Sequence, residues 1–220
     1  MSEIKHLSLS EEVYSRLMRK ILDGNFKEGS RLREEILCRE LGVSRTPVRE
    51  ALIRLAREGI LEQMPRRGCV LRKLPPEEIE ELLTCRRLLE CLVLREYFDG
   101  IDRKKCRALA DKLDKAVKQG GDGLRTVLLS ADEELHELIV SSCRNRFLSE
   151  ELKRLQLLCR PYRVLRCAEA DNTSSILEER RHIINAIISG NAEKAENALS
   201  SHFEKSSCYY LKDKEIEITS

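Results

Sequence analysis

The sequence predicts a mainly α chain in two parts: three short helices closed by a small β-hairpin, then an all-helical bundle of about six helices. Two observations carry this. Apolar residues recur at helical spacing along most of the chain, and the only strand-like runs flank a turn at Pro65-Arg66-Arg67-Gly68. Composition agrees, since of 220 residues only 4% are aromatic, Trp is absent and 35% are charged, a balance that favours helices.

Val13, Leu17, Ile21 and Leu22 give a first amphipathic helix ending at Asp23-Gly24. Leu32, Ile36, Leu37 and Leu41 give a short second one. Gly42 can take the left-handed conformation that closes it. Val48, Leu52 and Leu55 line the inner face of the third helix. Ser44 is placed to cap that helix through its hydroxyl. Pro47 costs little so early, where the amides have no intrahelical partner. Residues 60–64 and 69–72 are the two strands of the hairpin. Residues 1–74 therefore read as a winged helix-turn-helix.

The start of the third helix carries chemistry. Arg45 and Arg49 are four apart and share a face. With Ser44 and Thr46 they offer hydroxyls for phosphates and guanidinium forks for guanine edges. Charge separates to match: residues 1–73 hold 16 Lys+Arg against 11 Asp+Glu, and the remainder 24 against 27. A basic N-terminal third on a nearly neutral chain suits a nucleic-acid reader joined to a domain with another task.

The wing ends at Leu74-Pro75-Pro76, because a proline holds the residue before it extended and also suits a helix start. Helices follow over about 77–97, 103–118, 123–142, 146–168, 174–189 and 192–211, with polar or glycine-bearing joints and no strand pattern. Residues 75–220 read as a second, all-helical domain, a bundle of about six helices. No apolar run approaches the ~20 residues of a membrane span, and the N-terminus has no signal-peptide core. The nine cysteines include no Cys-x-x-Cys pair, and most read as buried reduced thiols. Cys69, beside the wing, reads as an inward-packed side chain, with a reactive thiol as the alternative. Phosphate-cradling, nucleophile-elbow and paired zinc-ligand motifs are absent, so the reading is non-enzymatic.

The run Gly29-Ser30-Arg31-Leu32-Arg33-Glu34-Glu35, the stretch from Ser44 to Leu52 and the wing at residues 65–68 resemble the DNA-binding domain of the GntR family of bacterial transcription regulators. The family pattern has Leu-Ala where this chain has Leu37-Cys38. The resemblance implies DNA contacts from Arg33, Ser44, Arg45, Thr46 and Arg49, and from Arg66, Arg67 and Gly68 of the wing. The second part resembles the FCD domain of the FadR-type branch. The carriers are Arg86-x-x-Leu89-Glu90, Asp132-x3-His136 with Asn145 nine residues on, Ala186-Ile187 with Gly190-Asn191-Ala192-Glu193, and His202.

Asp132 and His136 lie one above the other on a helix, so their oxygen and nitrogen can converge on one ion, suited to zinc, nickel or manganese. The family pattern joins such a pair to two later histidines around a metal. His202 matches one of them. Counting back from Ala186-Ile187, the other falls on Arg180, with His182 two residues beyond and turned roughly 200° away. Two readings stay open. Arg180 replaces the metal's charge, pairs with Asp132 and faces a carboxylate or phosphate effector. Alternatively the helix shifts, His182 enters and a metal binds. Arg86, Asp132, His136, Arg180 and His202 are the effector candidates, and Asp132, His136 and His202 the metal candidates.

The resemblance implies a ligand-responsive, sequence-specific regulator, a cytoplasmic homodimer that represses a metabolic operon by binding a double-stranded DNA operator and senses a small organic acid. The alternatives are a metal- or ligand-binding helical module whose winged helix binds protein, and a metal-dependent enzyme.

Overall fold

The structure, a computed structural model, describes residues 8–22, 25–64, 68–120, 123–168 and 173–217. It divides into two compact units, Met1–Leu74 and Pro75–Ser220.

In the first unit, α1 (Leu9–Leu22) packs on α3 (Arg45–Arg57), with α2 (Glu34–Leu41) beside it. Val13, Leu17 and Ile21 of α1 and Val48, Leu52 and Leu55 of α3 are buried, as their spacing predicts. Each such side chain contributes about 1.5–3 kcal/mol by leaving water. Gly42 ends α2 in the left-handed region at φ 66°, its N–H bonded to the Cys38 carbonyl.

The sheet has three strands rather than the two expected. β1 (Arg31–Leu32) and β2 (Leu61–Met64) flank β3 (Gly68–Leu71), both antiparallel to it. Arg31 pairs with Val70 and Leu32 with Cys69, while Glu62 and Gln63 pair with the same two residues from the other side. Leu32 therefore belongs to a strand and not to the second helix. Gly29 turns the chain at φ 73°, and its N–H reaches the Leu71 carbonyl while the Leu71 N–H returns to Ser30. Arg33 remains extended at φ −92°, ψ 120°, and the helix begins after it. Leu32 is buried all the same, which is why apolar periodicity alone misassigned it.

The second unit contains α4 (Pro76–Tyr97), a 3-10 turn (Phe98–Gly100), α5 (Arg103–Gln119), α6 (Gly123–Ser141), α7 (Arg146–Ala168), α8 (Thr173–Ile188) and α9 (Ala192–Glu217). Asp102 caps α5 by accepting from the Lys104 and Lys105 amides. α4 lies against α9, α7 and α6, and α8 against α9, α5 and α6. Val93, Leu94, Leu113, Ile139, Ile183, Ile187 and Leu199 fill the core. On α4, α6, α8 and α9 the buried stripe is interrupted by charged or histidine side chains, and these meet in one place.

Candidate DNA interface and buried polar centre

On α3, Ser44, Arg45, Thr46 and Arg49 are exposed while Pro47 and Val48 are buried, so the helix start is anchored from within and presents its polar side outward. Ser44 has the extended backbone of an N-cap, at φ −70° and ψ 171°, but its side chain makes no cap bond, contrary to the expectation. Arg45 meets Glu35 at 3.2 Å between two exposed side chains. Such a pair contributes about 0–1 kcal/mol and yields readily to a phosphate.

Arg33, Arg45 and Arg49 line one concave surface of about 820 Å³ together with Arg31, Gln63 and Gly68. Arg31 is the arginine that sequence reasoning missed. In a strand whose neighbour Leu32 points inward, Arg31 must point outward, and the signal was lost with the strand. Gly68 sits at φ 76°, with the Arg31 guanidinium 3.9 Å from where a Cβ would stand. Arg66 and Arg67 lie outside the described residues. Cys69 is buried, and burial first and Glu34 second push its thiol upward, which is the opposite of activation.

The second site is closed. Arg86, Glu90, Asp132, His136, Arg180 and His202 are each at most 5% exposed. Arg86 donates to Oε1 of Glu90 from Nε at 3.0 Å and from an Nη at 2.7 Å. Burial works against ionisation of Glu90, but Arg86 and then His136 outweigh it and hold the carboxyl at about 2. Oε2 of Glu90 lies 2.5 Å from Nδ1 of His136. A carboxylate in an ion pair can only accept, so the proton sits on Nδ1. His202 is arranged alike, with Nδ1 3.0 Å from Oε2 of Glu179. Burial pushes the His202 imidazole down to about 4, against the opposing pull of Glu179 and Asp132, so the ring is neutral near pH 7.

With each Nδ1 committed, the two Nε2 atoms face inward. Both stand 3.8 Å from Oδ1 of Asp132. Nε2 of His136 is buried without a hydrogen-bond partner, a situation that costs about 1–3 kcal/mol. Arg180 donates to the same Oδ1 at 2.8 Å and to the Ile176 carbonyl at 2.9 Å. Phe203 closes the site, its ring 5.4 Å from that of His136 and 5.6 Å from that of His202, with the Arg86 guanidinium 5.0 Å from its centroid. His182 is exposed and apart from this group. The structure therefore brings Asp132, His136, Arg180 and His202 together, joins Arg86 to them through Glu90, and leaves His182 out.

Glu90, Glu179 and Phe203 were not among the sequence candidates. Glu90 appeared only as a motif letter. The available signal was a carboxylate on the buried stripe of a helix, which has to have a partner.

Asp132, His136 and His202 offer donor atoms within 4.8 Å of one another, the right elements for a transition metal, and carboxylates hold the far nitrogens as metal sites require. Arg180 spoils the fit. An ion on Oδ1 at ~2.1 Å would stand at most about 5 Å from the guanidinium nitrogen that shares this atom. Repulsion between a dication and a fixed monocation at that distance is roughly 6–7 kcal/mol at an effective dielectric of 20. Three donors suit a metal, and the fourth neighbour opposes it.

A separate cleft of about 940 Å³ opens between α5, α6 and α7. Lys112 is opposed there by Glu134 and Arg160 by Glu133, so the cleft is broadly charge-balanced. Gln156 lines it and reaches inward, its amide 3.2 Å from the His136 carbonyl and 3.5 Å from Oε1 of Glu90. The cleft thus lies one side chain away from the polar centre. No helix among the described residues is long and apolar enough to cross a membrane.

Comparison with known proteins bears on both units. The model of bacterial regulatory proteins of the gntR family matches residues 9–71, and that of the FCD domain matches residues 81–205. The chain is 30% identical over 202 residues to the HTH-type transcriptional regulator YdhC of Bacillus subtilis (strain 168), covering 91% of this chain and 90% of that one. It is 28% identical over 198 residues to a D-xylose utilization operon transcriptional repressor of Paenarthrobacter nicotinovorans, covering 89% and 85%. Among solved structures, a GntR transcriptional regulator from Rhodococcus sp. RHA1 superposes with a TM-score of 0.78 at 26% identity, over 94% of this chain and 99% of that one. With a winged helix presenting arginines and a helical bundle enclosing a polar centre, the chain belongs to the GntR family of bacterial transcription regulators, with an FCD domain as its second part.

Proposed function

We propose that this regulator is a homodimeric repressor that releases or tightens its operator in response to a small organic acid taken up by the helical unit. The observation that carries the sensing half is the burial of Arg86, Glu90, Asp132, Arg180 and two histidines in one bundle. Apolar residues of like volume would stabilise a bundle as well or better, so a cluster of this kind points to a task other than stability. Arg33, Ser44, Arg45, Thr46, Arg49 and Gly68, with Arg66 and Arg67, contact DNA. Arg31 joins them from β1. Arg86, Asp132, His136, Arg180 and His202 form the effector site.

Because these side chains are sealed, a ligand reaches them only when the bundle opens, and the cleft beside Gln156 offers a route. Binding is then linked to a change of conformation, and a coupling of about 1–3 kcal/mol, or roughly 5–150-fold in DNA affinity, is enough for a switch. The repressor sense is supported by the xylose-operon relative, whose name gives it that role.

The test uses the full chain. Operators are selected from random duplexes, and their affinity is followed by fluorescence anisotropy against salt and against a panel of organic acids. Affinity should fall steeply with salt, and at least one acid should shift it. Duplex binding without sequence preference would refute the DNA half. Indifference to every acid would refute the effector class.

A further inference from the structure

Three atoms of the kind that ligate metals converge in the buried centre: Oδ1 of Asp132 and Nε2 of His136 and His202. Glu90 and Glu179 hold the opposite ring nitrogens, so both Nε2 atoms face the centre. A buried carboxylate between them calls for a positive partner. This chain supplies it covalently, because Arg180, from α8, donates to Oδ1 of Asp132 while the Ile176 carbonyl steadies its other Nη. A guanidinium cannot ligate a metal, and it keeps its proton at any physiological pH.

We propose that Arg180 takes the place of a metal ion in this centre, and that the centre holds a hydroxy acid without metal, its carboxylate on the Arg180 guanidinium and its hydroxyl on Nε2 of His136. The hydroxyl follows from the orphaned ring nitrogen. Nε2 of His136 is buried and makes no hydrogen bond, and 3.8 Å from Asp132 is too far for one. A hydroxyl, which both gives and takes a hydrogen bond, satisfies that atom while the carboxylate stays on the guanidinium. The carboxylate either joins Asp132 on the guanidinium or displaces it. The ligand half rests on the organic-acid reading above, whereas the metal half stands by itself.

The experiment has two arms on the full chain. In the first, protein purified without chelators is assayed for metal and then titrated with zinc, nickel and manganese while its melting temperature is followed. The wild type should carry almost none and melt unchanged. Arg180→His, which restores a fourth donor and removes the fixed charge, should take up close to one ion per chain and melt several degrees higher when loaded. A wild type holding one ion per chain, lost in His202→Ala, overturns the proposal, as does a folded Arg180→His that gains no metal. If Arg180→His does not fold, the wild-type titration decides.

In the second arm, lactate is compared with propionate and malate with succinate, by calorimetric titration. The hydroxylated member of a responsive pair should bind about tenfold tighter or more; Arg180→Gln, which removes the carboxylate's partner, should weaken both members alike, whereas His136→Phe should abolish the difference between them. Equal affinity within the pairs overturns the hydroxyl contact. No binding by any of the four overturns the ligand half, the operator assay with the wider acid panel decides the organic-acid reading separately, and the metal arm still decides the place of Arg180.

Discussion

Oε2 of Glu90 accepts from Nδ1 of His136 at 2.5 Å, while the other oxygen of the same carboxylate accepts twice from Arg86. One buried carboxylate on α4 thus neutralises a guanidinium on its own helix and fixes which nitrogen of a histidine on α6 faces the centre. Removing it would disturb charge, tautomer and position together.

Glu90→Gln should therefore be among the most damaging isosteric changes in the chain. It leaves Arg86, 1% exposed, without its counter-charge, and breaking a buried pair in this way costs about 3–5 kcal/mol. The pH dependence has a defined sign. The Glu90 carboxyl is depressed from 4.5 to about 2 on folding. Its contribution is thus full above the unfolded value and is lost as pH falls from about 4.5 towards 2. Urea unfolding at pH 7 reads the first effect. Between pH 5 and 2.5 the stability of Glu90→Gln should fall less steeply than that of the wild type, and parallel curves would exclude this role.

The DNA face separates base readers from phosphate anchors. Arg49→Ala and Arg45→Ala should each cost about 1–3 kcal/mol and relax sequence preference, because a recognition helix reads base edges from its N-terminal turns. Arg31→Ala, on a strand at the edge of the concave surface, should weaken all duplexes alike and reduce the salt slope by about one contact. Anisotropy against operator and scrambled duplex at several salt concentrations distinguishes the two kinds. A uniform loss in Arg49→Ala would remove it from base reading.

Much of this was legible in the sequence because the helices are long and strongly periodic. Their limits differ from the structure by a few residues at most, apart from the C-terminal helix, which continues from the expected 211 to Glu217. The errors fall where local rules compete. Leu32 satisfies both a helical period and the buried side of a two-residue strand, and only the long-range pairing with Cys69 decides between them. Arg31 was overlooked for the same reason. In the helical unit, Asp132 and His136 could be paired by spacing, since they are four apart on one helix. Glu179 could not, because its contact with His202 crosses from α8 to α9. Arg180 and His182 were separable only by register, and the structure buries the first and exposes the second.

That difference predicts contrasting histidine variants. His182→Ala, at an exposed position, should change stability by no more than about 0.5 kcal/mol and leave any acid response intact. His202→Ala should cost roughly 2–4 kcal/mol, since it opens a cavity beside Phe203 and leaves buried Glu179 one donor short. It should also lose the acid response. Thermal melts with and without the responsive acid test both, and loss of the response in His182→Ala would restore the alternative register.

The proposed homodimer has a candidate seam. α4 buries Ile79, Leu82, Leu83, Val93 and Leu94 on one side, while Cys85 and Leu88 lie exposed on another. Leu88 is 59% exposed near the middle of the 22-residue α4, one turn from exposed Cys85, so the two offer a small apolar face. Across a two-fold axis each substitution acts twice, so a single charge placed there is felt by both protomers. Leu88→Lys should therefore raise the dimer dissociation constant by about 30-fold or more, the equivalent of a hot spot of ≥ 2 kcal/mol, and leave the melting of the monomer unit unchanged. It should also weaken binding to a two-fold operator more than binding to a half-site, because two linked heads gain from effective concentration. Light scattering across a concentration series, with and without DNA, gives the answer. A wild type that stays monomeric throughout would exclude the homodimer, and an unchanged dimer in Leu88→Lys would move the interface away from this face of α4.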